Sequence, residues 1–221
     1  MSTKLEEKAS VYLFFSRLFR EVPSSSLLNE IAKKKLLTLA YHFFEEDSPE
    51  EISFFEATDL GDRAEEIAIE YTSLFVAPGE YFRPPYESFY CDTLTIDTST
   101  ADSPYFRSGC MMEGMRGFIY GSSAKAVEKT YREVGFELDP KFHDLPDHVA
   151  CELEFVGRLY QKEKVDTAAR FIKSNLARWI FQFLDNLEKQ ERSVFYQKVA
   201  MSLKNFIERE RYLEVVSHIP E

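Results

Sequence analysis

The chain has 221 residues and a formal charge of −11, from 38 acidic and 27 basic side chains. That length makes one large domain or two small ones and can bury a substantial core, while the acid excess argues against general nucleic-acid binding, which needs a basic footprint. With 8 glycines and 9 prolines the composition disfavours an all-β or a disordered chain, and no apolar run approaches the roughly 20 residues that span a bilayer.

The first ten residues, MSTKLEEKAS, carry acids where a secretory signal needs a basic region and an apolar run, so the expected location is the cytoplasm. Leu5, Ala9, Tyr12, Leu13, Ser16 and Phe19 then follow helical steps, with Pro23 as a stop. Ser24 to Ser26 can cap a second helix, expected to reach about Phe44. Eleven acids stand between Glu45 and Glu70 against Arg63 alone. They read either as a solvated face or as a field that attracts a basic partner. A third helix is expected from about Asp62 to Val76, with Ala64, Ile67, Tyr71 and Leu74 on one stripe.

From Pro78 to Gly121 the periodicity stops. This long connection contains APGEYFRPPYESFY and SGCMMEGMRGFIYG. Connections of such length are uncommon unless functional or partly helical. Arg83, ahead of Pro84 and Pro85, should be extended. The rings of Tyr81, Phe82, Tyr86, Phe89 and Tyr90 either staple the loop to the helices or line a groove for a peptide. Met111, Met112 and Met115 form either an adaptable apolar surface or core. TLTIDTST is the nearest approach to a strand and has nothing obvious to pair with.

Past this connection, SSAKAVEKTYREVGF predicts a helix capped by Ser122 or Ser123 and closed at Gly135. Three more are expected from about Asp144, Asp166 and Ser193. The fold class is therefore all-α, a single-domain helical bundle over residues 1–221 with one loop-rich segment at 78–121. Cys91, Cys110 and Cys151 are an odd set without a CxxC pair, which suggests reduced thiols and neither disulfides nor a zinc ribbon.

The densest chemistry lies in HDLPDHVACELEF, from His143 to Phe155. Asp144 can act as N-cap, Pro146 fits a first turn, and Asp147 suits the positive end of the helix dipole. Turned at about 100° per residue, the helix has one apolar stripe of Val149, Leu153, Val156 and Tyr160 and a second of Phe155 and Leu159. His148 and Glu152 fall between them at i, i+4, stacked so that they can meet. Asp147, Glu154 and Arg158 point to the other side. The His148–Glu152 pair reads as a buried hydrogen bond, as a ligand contact at the helix start, as an acid–base pair, or as two ligands of a metal-dependent hydrolase. The metal reading is thin, because one helix supplies only two of the three or four ligands zinc requires.

These residues also resemble a known family. EYTSLFVAPGEYFRPPYESFY followed by LPDHVACELEFVGRLYQKE is similar to the TorD/DmsD/NarJ maturation chaperones of dimethyl-sulfoxide-reductase-type molybdoenzymes. Glu70, Tyr71, Leu74, Phe75, Pro85, Tyr86, Glu87 and Ser88 carry the first block. Pro146, Asp147, His148, Glu152 and Leu153 carry the second. A later Leu-x-x-Trp, here Leu176 to Trp179, follows Asn175 where the family often has His. The resemblance implies an all-helical chaperone with no catalysis and no cofactor of its own, either a monomer or a homodimer. Its implied partner is the apo catalytic subunit of a molybdenum-containing oxidoreductase, bound through an N-terminal leader that often bears a twin-arginine signal. The implied peptide-binding positions are Tyr71, Leu74, Phe75, Pro85, Tyr86 and Glu87 in the first block and Asp147, His148 and Glu152 in the second.

Overall fold

A computed structural model describes residues 3–34, 59–92, 121–138 and 144–217. Among these every regular element is helical: α1 (Thr3–Arg20), α2 (Ser25–Lys34), α3 (Ala64–Tyr71), α4 (Glu87–Cys91), α5 (Ser122–Glu133), α6 (Val149–Gln161), α7 (Val165–Ser174), α8 (Ile180–Glu188) and α9 (Val194–Ser217). Extended pairing is confined to a single antiparallel bridge between Tyr86 and His148. The all-α expectation holds. Met111 to Met115, TLTIDTST, Cys110, the acids from Glu45 to Glu56 and the far end of the second predicted helix lie outside the described residues.

The centre of the fold is α6. Ten of its 13 residues are buried, including Val149, Leu153, Val156 and Tyr160 on one side and Phe155 and Leu159 on the other. Glu154 and Arg158 reach the surface, as the periodicity predicts. α1 lies along α6, and its stripe of Ala9, Tyr12, Phe15, Leu18 and Phe19 is buried against it. Gly157 permits the close approach, since a Cβ there would sit 2.9 Å from Leu13 Cγ and 3.2 Å from the Ala9 carbonyl. Ser16 donates to the Ala150 carbonyl at 2.7 Å across the same contact, and Arg20 pairs with Glu154 at its edge.

Local punctuation follows the sequence at the start of α2 and the end of α5, whereas the expected cap of α5 at Ser122 or Ser123 is replaced by Gly121. Ser24 Oγ accepts from the Leu27 N–H at 3.2 Å and opens α2. Gly135, with φ of 71°, closes α5, and the next N–H, of Phe136, bonds back to the Tyr131 carbonyl at 2.9 Å. The third predicted helix reaches Tyr71 and then widens into a π turn over Thr72–Val76. The Ala77 N–H closes it on the Thr72 carbonyl at 2.8 Å. This turn sends both Leu74 and Phe75 inward, where Phe75 packs edge-on to Tyr71 and Tyr196.

The stretch predicted as one helix from Asp166 is instead two. α7 ends at Ser174, a 3-10 turn covers Leu176–Arg178, and α8 begins at Ile180. No glycine or proline marks the break. It turns Asn175, Arg178 and Trp179 toward side chains of α4 and α6.

Candidate functional site

Two segments distant in sequence meet at the start of α6. Residues 85–87 run antiparallel to 147–149, with the Glu87 N–H donating to the Asp147 carbonyl at 3.0 Å and the Val149 N–H to the Pro85 carbonyl at 2.8 Å. The two blocks of the sequence are thus brought together, and Tyr86 lies beside His148.

His148, and not Asp144, is the N-cap of α6, its Nδ1 accepting from the Ala150 N–H at 3.1 Å. A ring that accepts at Nδ1 is neutral and carries its proton on Nε2, which lies 3.8 Å from Asp144 Oδ2. Burial holds the His148 pKa down to about 4. The Tyr86 ring meets this imidazole edge to face, centroids 5.2 Å apart, and its hydroxyl donates to Asp144 Oδ1 at 2.8 Å. Burial and that carboxylate raise the Tyr86 pKa. Tyr86 is half-buried while His148 is enclosed.

Asp147 does not point to solvent as the periodicity suggests. It precedes the helix and is fully buried, and its Oδ2 accepts from the Ser88 N–H at 2.9 Å, capping the short α4 from across the structure. Among the described residues its Oδ1 has no donor, and burial raises its pKa. Two other acids serve the same purpose. Asp92, at the end of α4, accepts from the Ser123 N–H at 3.0 Å and the Ser123 hydroxyl at 2.6 Å, capping α5. Glu70 accepts from the Phe195 and Tyr196 N–H groups at 3.1 and 3.2 Å, capping α9. Glu70 is therefore buried and does not belong to an exposed acidic face, unlike its exposed neighbours Glu65 and Glu66.

Glu152 and His148 do not pair. Glu152 is fully buried and receives the Trp179 indole N–H at 3.3 Å. Its carboxyl also lies within hydrogen-bonding reach of Glu87, which is equally buried. Glu87 in turn accepts from Arg178 at 3.1 Å and from Asn175 at 3.5 Å. Burial raises the pKa of both carboxyls, that of Glu152 well above its usual range and that of Glu87 to about 7. The Leu-x-x-Trp signature thus adds a side-chain link between the two blocks to the direct bridge between them. Asn175 and Arg178 have no periodicity that could have placed them there.

Tyr71, Leu74, Phe75 and Pro85 are all buried. Leu74 is fully enclosed, and the Tyr71 hydroxyl donates to the Phe19 carbonyl at 3.3 Å. They form core beneath the site, and only Tyr86 of the predicted apolar surface is open to one side. Among the described residues no group of three or more His, Cys, Asp or Glu is placed to hold a metal ion.

Fold and site together define an all-helical protein whose buried acids cap helices and join two sequence blocks beside the half-buried Tyr86. The chain belongs to the nitrate reductase delta subunit family, whose model matches residues 45–185. It is similar to the chaperone protein TorD of Vibrio parahaemolyticus, 24% identical over 218 residues covering 91% of each chain. TorD of a Psychrobacter species is 22% identical over 222 residues, covering 92% of this chain and 90% of that one. A Haemophilus influenzae protein assigned as the Tat proofreading chaperone DmsD is 23% identical over 135 residues, covering 61% of this chain and 55% of its own. A crystal structure of a candidate redox enzyme maturation protein from Archaeoglobus fulgidus covers 89% of this chain and 93% of that chain, at 21% identity and a TM-score of 0.49. The Vibrio, Psychrobacter and Haemophilus relatives are named as chaperones.

Proposed function

We propose that this protein is a cytoplasmic maturation chaperone that binds the N-terminal leader of an apo-molybdoenzyme catalytic subunit and holds it until the cofactor is inserted. The reading draws on the family and on relatives named TorD and Tat proofreading chaperone. The observation that carries it is the half-buried Tyr86, held on an extended segment against the His148 end of α6. An extended backbone beside an aromatic offers a peptide both a ledge and contact area at low entropic cost. Tyr86 is the direct contact in this reading. Pro85, Glu87, Asp147, His148 and Glu152 hold it in place, and Tyr71, Leu74 and Phe75 support the floor.

Titration calorimetry with a synthetic leader peptide tests the proposal. Tyr86→Ala should weaken the leader at least tenfold, or about 1.4 kcal/mol, while circular dichroism and the melting temperature stay near wild type. A leader in which serines replace the apolar run should lose nearly all binding, since exposed charge pairs contribute only about 0–1 kcal/mol each. Equal affinity of wild type and Tyr86→Ala for the native leader would remove Tyr86 from the site.

A further inference from the structure

Glu87 and Glu152 are both fully enclosed and lie within hydrogen-bonding reach of each other. Among the described residues the one cation bonded to them is Arg178, on Glu87. The remaining partners are neutral: the Trp179 indole on Glu152 and the Asn175 amide on Glu87. The other ionisable groups facing the pair offer no compensation. Asp147 precedes α6, Asp92 and Cys91 end α4, Tyr131 comes from α5, and each is neutral or negative.

Two adjacent carboxylates in such a place cannot both ionise beside a single guanidinium. Among the described residues Glu152 Oε1 has no hydrogen-bond donor, and two ionised carboxylates could not bond to each other, because both would be acceptors. One proton on Glu152 supplies the missing donor, lets Glu87 ionise beside Arg178 as pH passes about 7, and keeps Glu152 Oε2 as acceptor for Trp179. Glu87 is also the residue whose N–H holds the Asp147 carbonyl in the bridge that carries Tyr86.

We infer that Arg178 and a protonated Glu152 are positioning residues for the peptide site, acting through Glu87 to lock the Pro85–Glu87 segment against α6. The inference deepens the chaperone reading and rests on it only for the leader. Loss of the shared proton in alkaline solution puts two unscreened charges in one enclosed space, and the lock opens. The stability sign follows. The unfolded chain releases the Glu152 proton above the ordinary glutamate range, whereas the folded chain retains it, so folding weakens as pH rises until the folded group also titrates.

The test combines unfolding equilibria with amide exchange on the full chain. From about pH 5 upward, the wild-type folding constant should fall relative to that of Glu152→Gln by up to about tenfold per pH unit, because the glutamine amide donates and accepts without a proton to lose. Above about pH 7, where Glu87 has ionised in wild type, Arg178→Met should steepen the slope toward about a hundredfold per unit, since Glu87 then retains a proton as well. In wild type, exchange protection of the Glu87 and Val149 amides, corrected for intrinsic rates, should fall between about pH 6 and about pH 9. In Glu152→Gln it should stay level.

Parallel stability curves for wild type and Glu152→Gln would overturn the shared proton, and level wild-type protection would overturn the lock even if the glutamine variant did not fold. Leader titration at the same two pH values should show weaker binding at the higher one. A leader that bound at neither pH would defeat the chaperone reading, while the stability and exchange data would still decide the lock.

Discussion

Replacement of Asp147 by alanine is expected to destabilise the protein by about 2–3 kcal/mol. The carboxylate is fully buried and accepts the Ser88 N–H at 2.9 Å. A hydrogen bond to a charged group contributes about 1.5–3 kcal/mol, and a buried N–H left without an acceptor costs about 1–3 kcal/mol. These overlap, since the same N–H is counted in each. The loss is also reduced, because removing Asp147 relieves the desolvation that raises its pKa and the orphaned Oδ1. An exposed acid at a helix start would contribute only about 0.3–1 kcal/mol. Equilibrium denaturation by urea near neutral pH, followed by far-ultraviolet circular dichroism, measures the difference. Asp147→Asn keeps an acceptor toward Ser88 and should fall between wild type and alanine. A loss for Asp147→Ala below about 1 kcal/mol would mean that the side chain faces water and that the cap on α4 is absent.

Two further outcomes follow from the buried polar groups. His148 is neutral when folded and its pKa is lowered to about 4, so stability is intact at neutral pH and lost as pH falls from about 6.5 toward 4. About 3 kcal/mol should go across that window, and His148→Asn should flatten the acid limb of a urea-midpoint profile; an unchanged limb would place the ring in water. Glu70→Ala removes the acceptor for two N–H groups at the start of the 24-residue α9 and should cost about 1–3 kcal/mol. Glu70→Gln should recover most of the melting temperature, and equal losses for the two would rule out the cap.

Much of the fold is legible in the sequence because it depends on neighbours along the chain. The stripe from Ala9 to Phe19, the stop at Pro23, the serine that opens α2 and the glycine that closes α5 are all local signals. Those of α6 are legible too, and its two apolar stripes are both buried. What the sequence does not show has one physical cause. Local pattern places helix caps within a few residues of each helix, but α4, α5 and α9 are capped by Asp147, Asp92 and Glu70, each contributed by another element. His148 and Glu152 stand out in the sequence as polar groups in an apolar arc, and both are buried. Their partners are not legible, because i, i+4 stacking permits a pair without requiring it, and Trp179 and Glu87 compete for Glu152 from outside the helix. The break between α7 and α8 leaves no mark because Leu176, Ile180, Phe183, Leu184 and Leu187 continue an apolar pattern through it. Tertiary hydrogen bonds to Glu87 decide the corner.

The Asp92 cap has a topological consequence. It joins the last residue described before residues 93–120 to the first helix after them. Gly121 lies so close that an added Cβ would fall 1.9 Å from Asp92 Oδ2. The two ends of the segment 93–120 are therefore held at nearly the same point. Closing a segment whose ends already touch depends only weakly on its length, each doubling adding about 0.6 kcal/mol. Insertions and deletions between these two anchors need not disturb the helices on either side. Asp92, Gly121 and Ser123 are the hinge plate that keeps the length of the segment between them from bearing on the helices at either end.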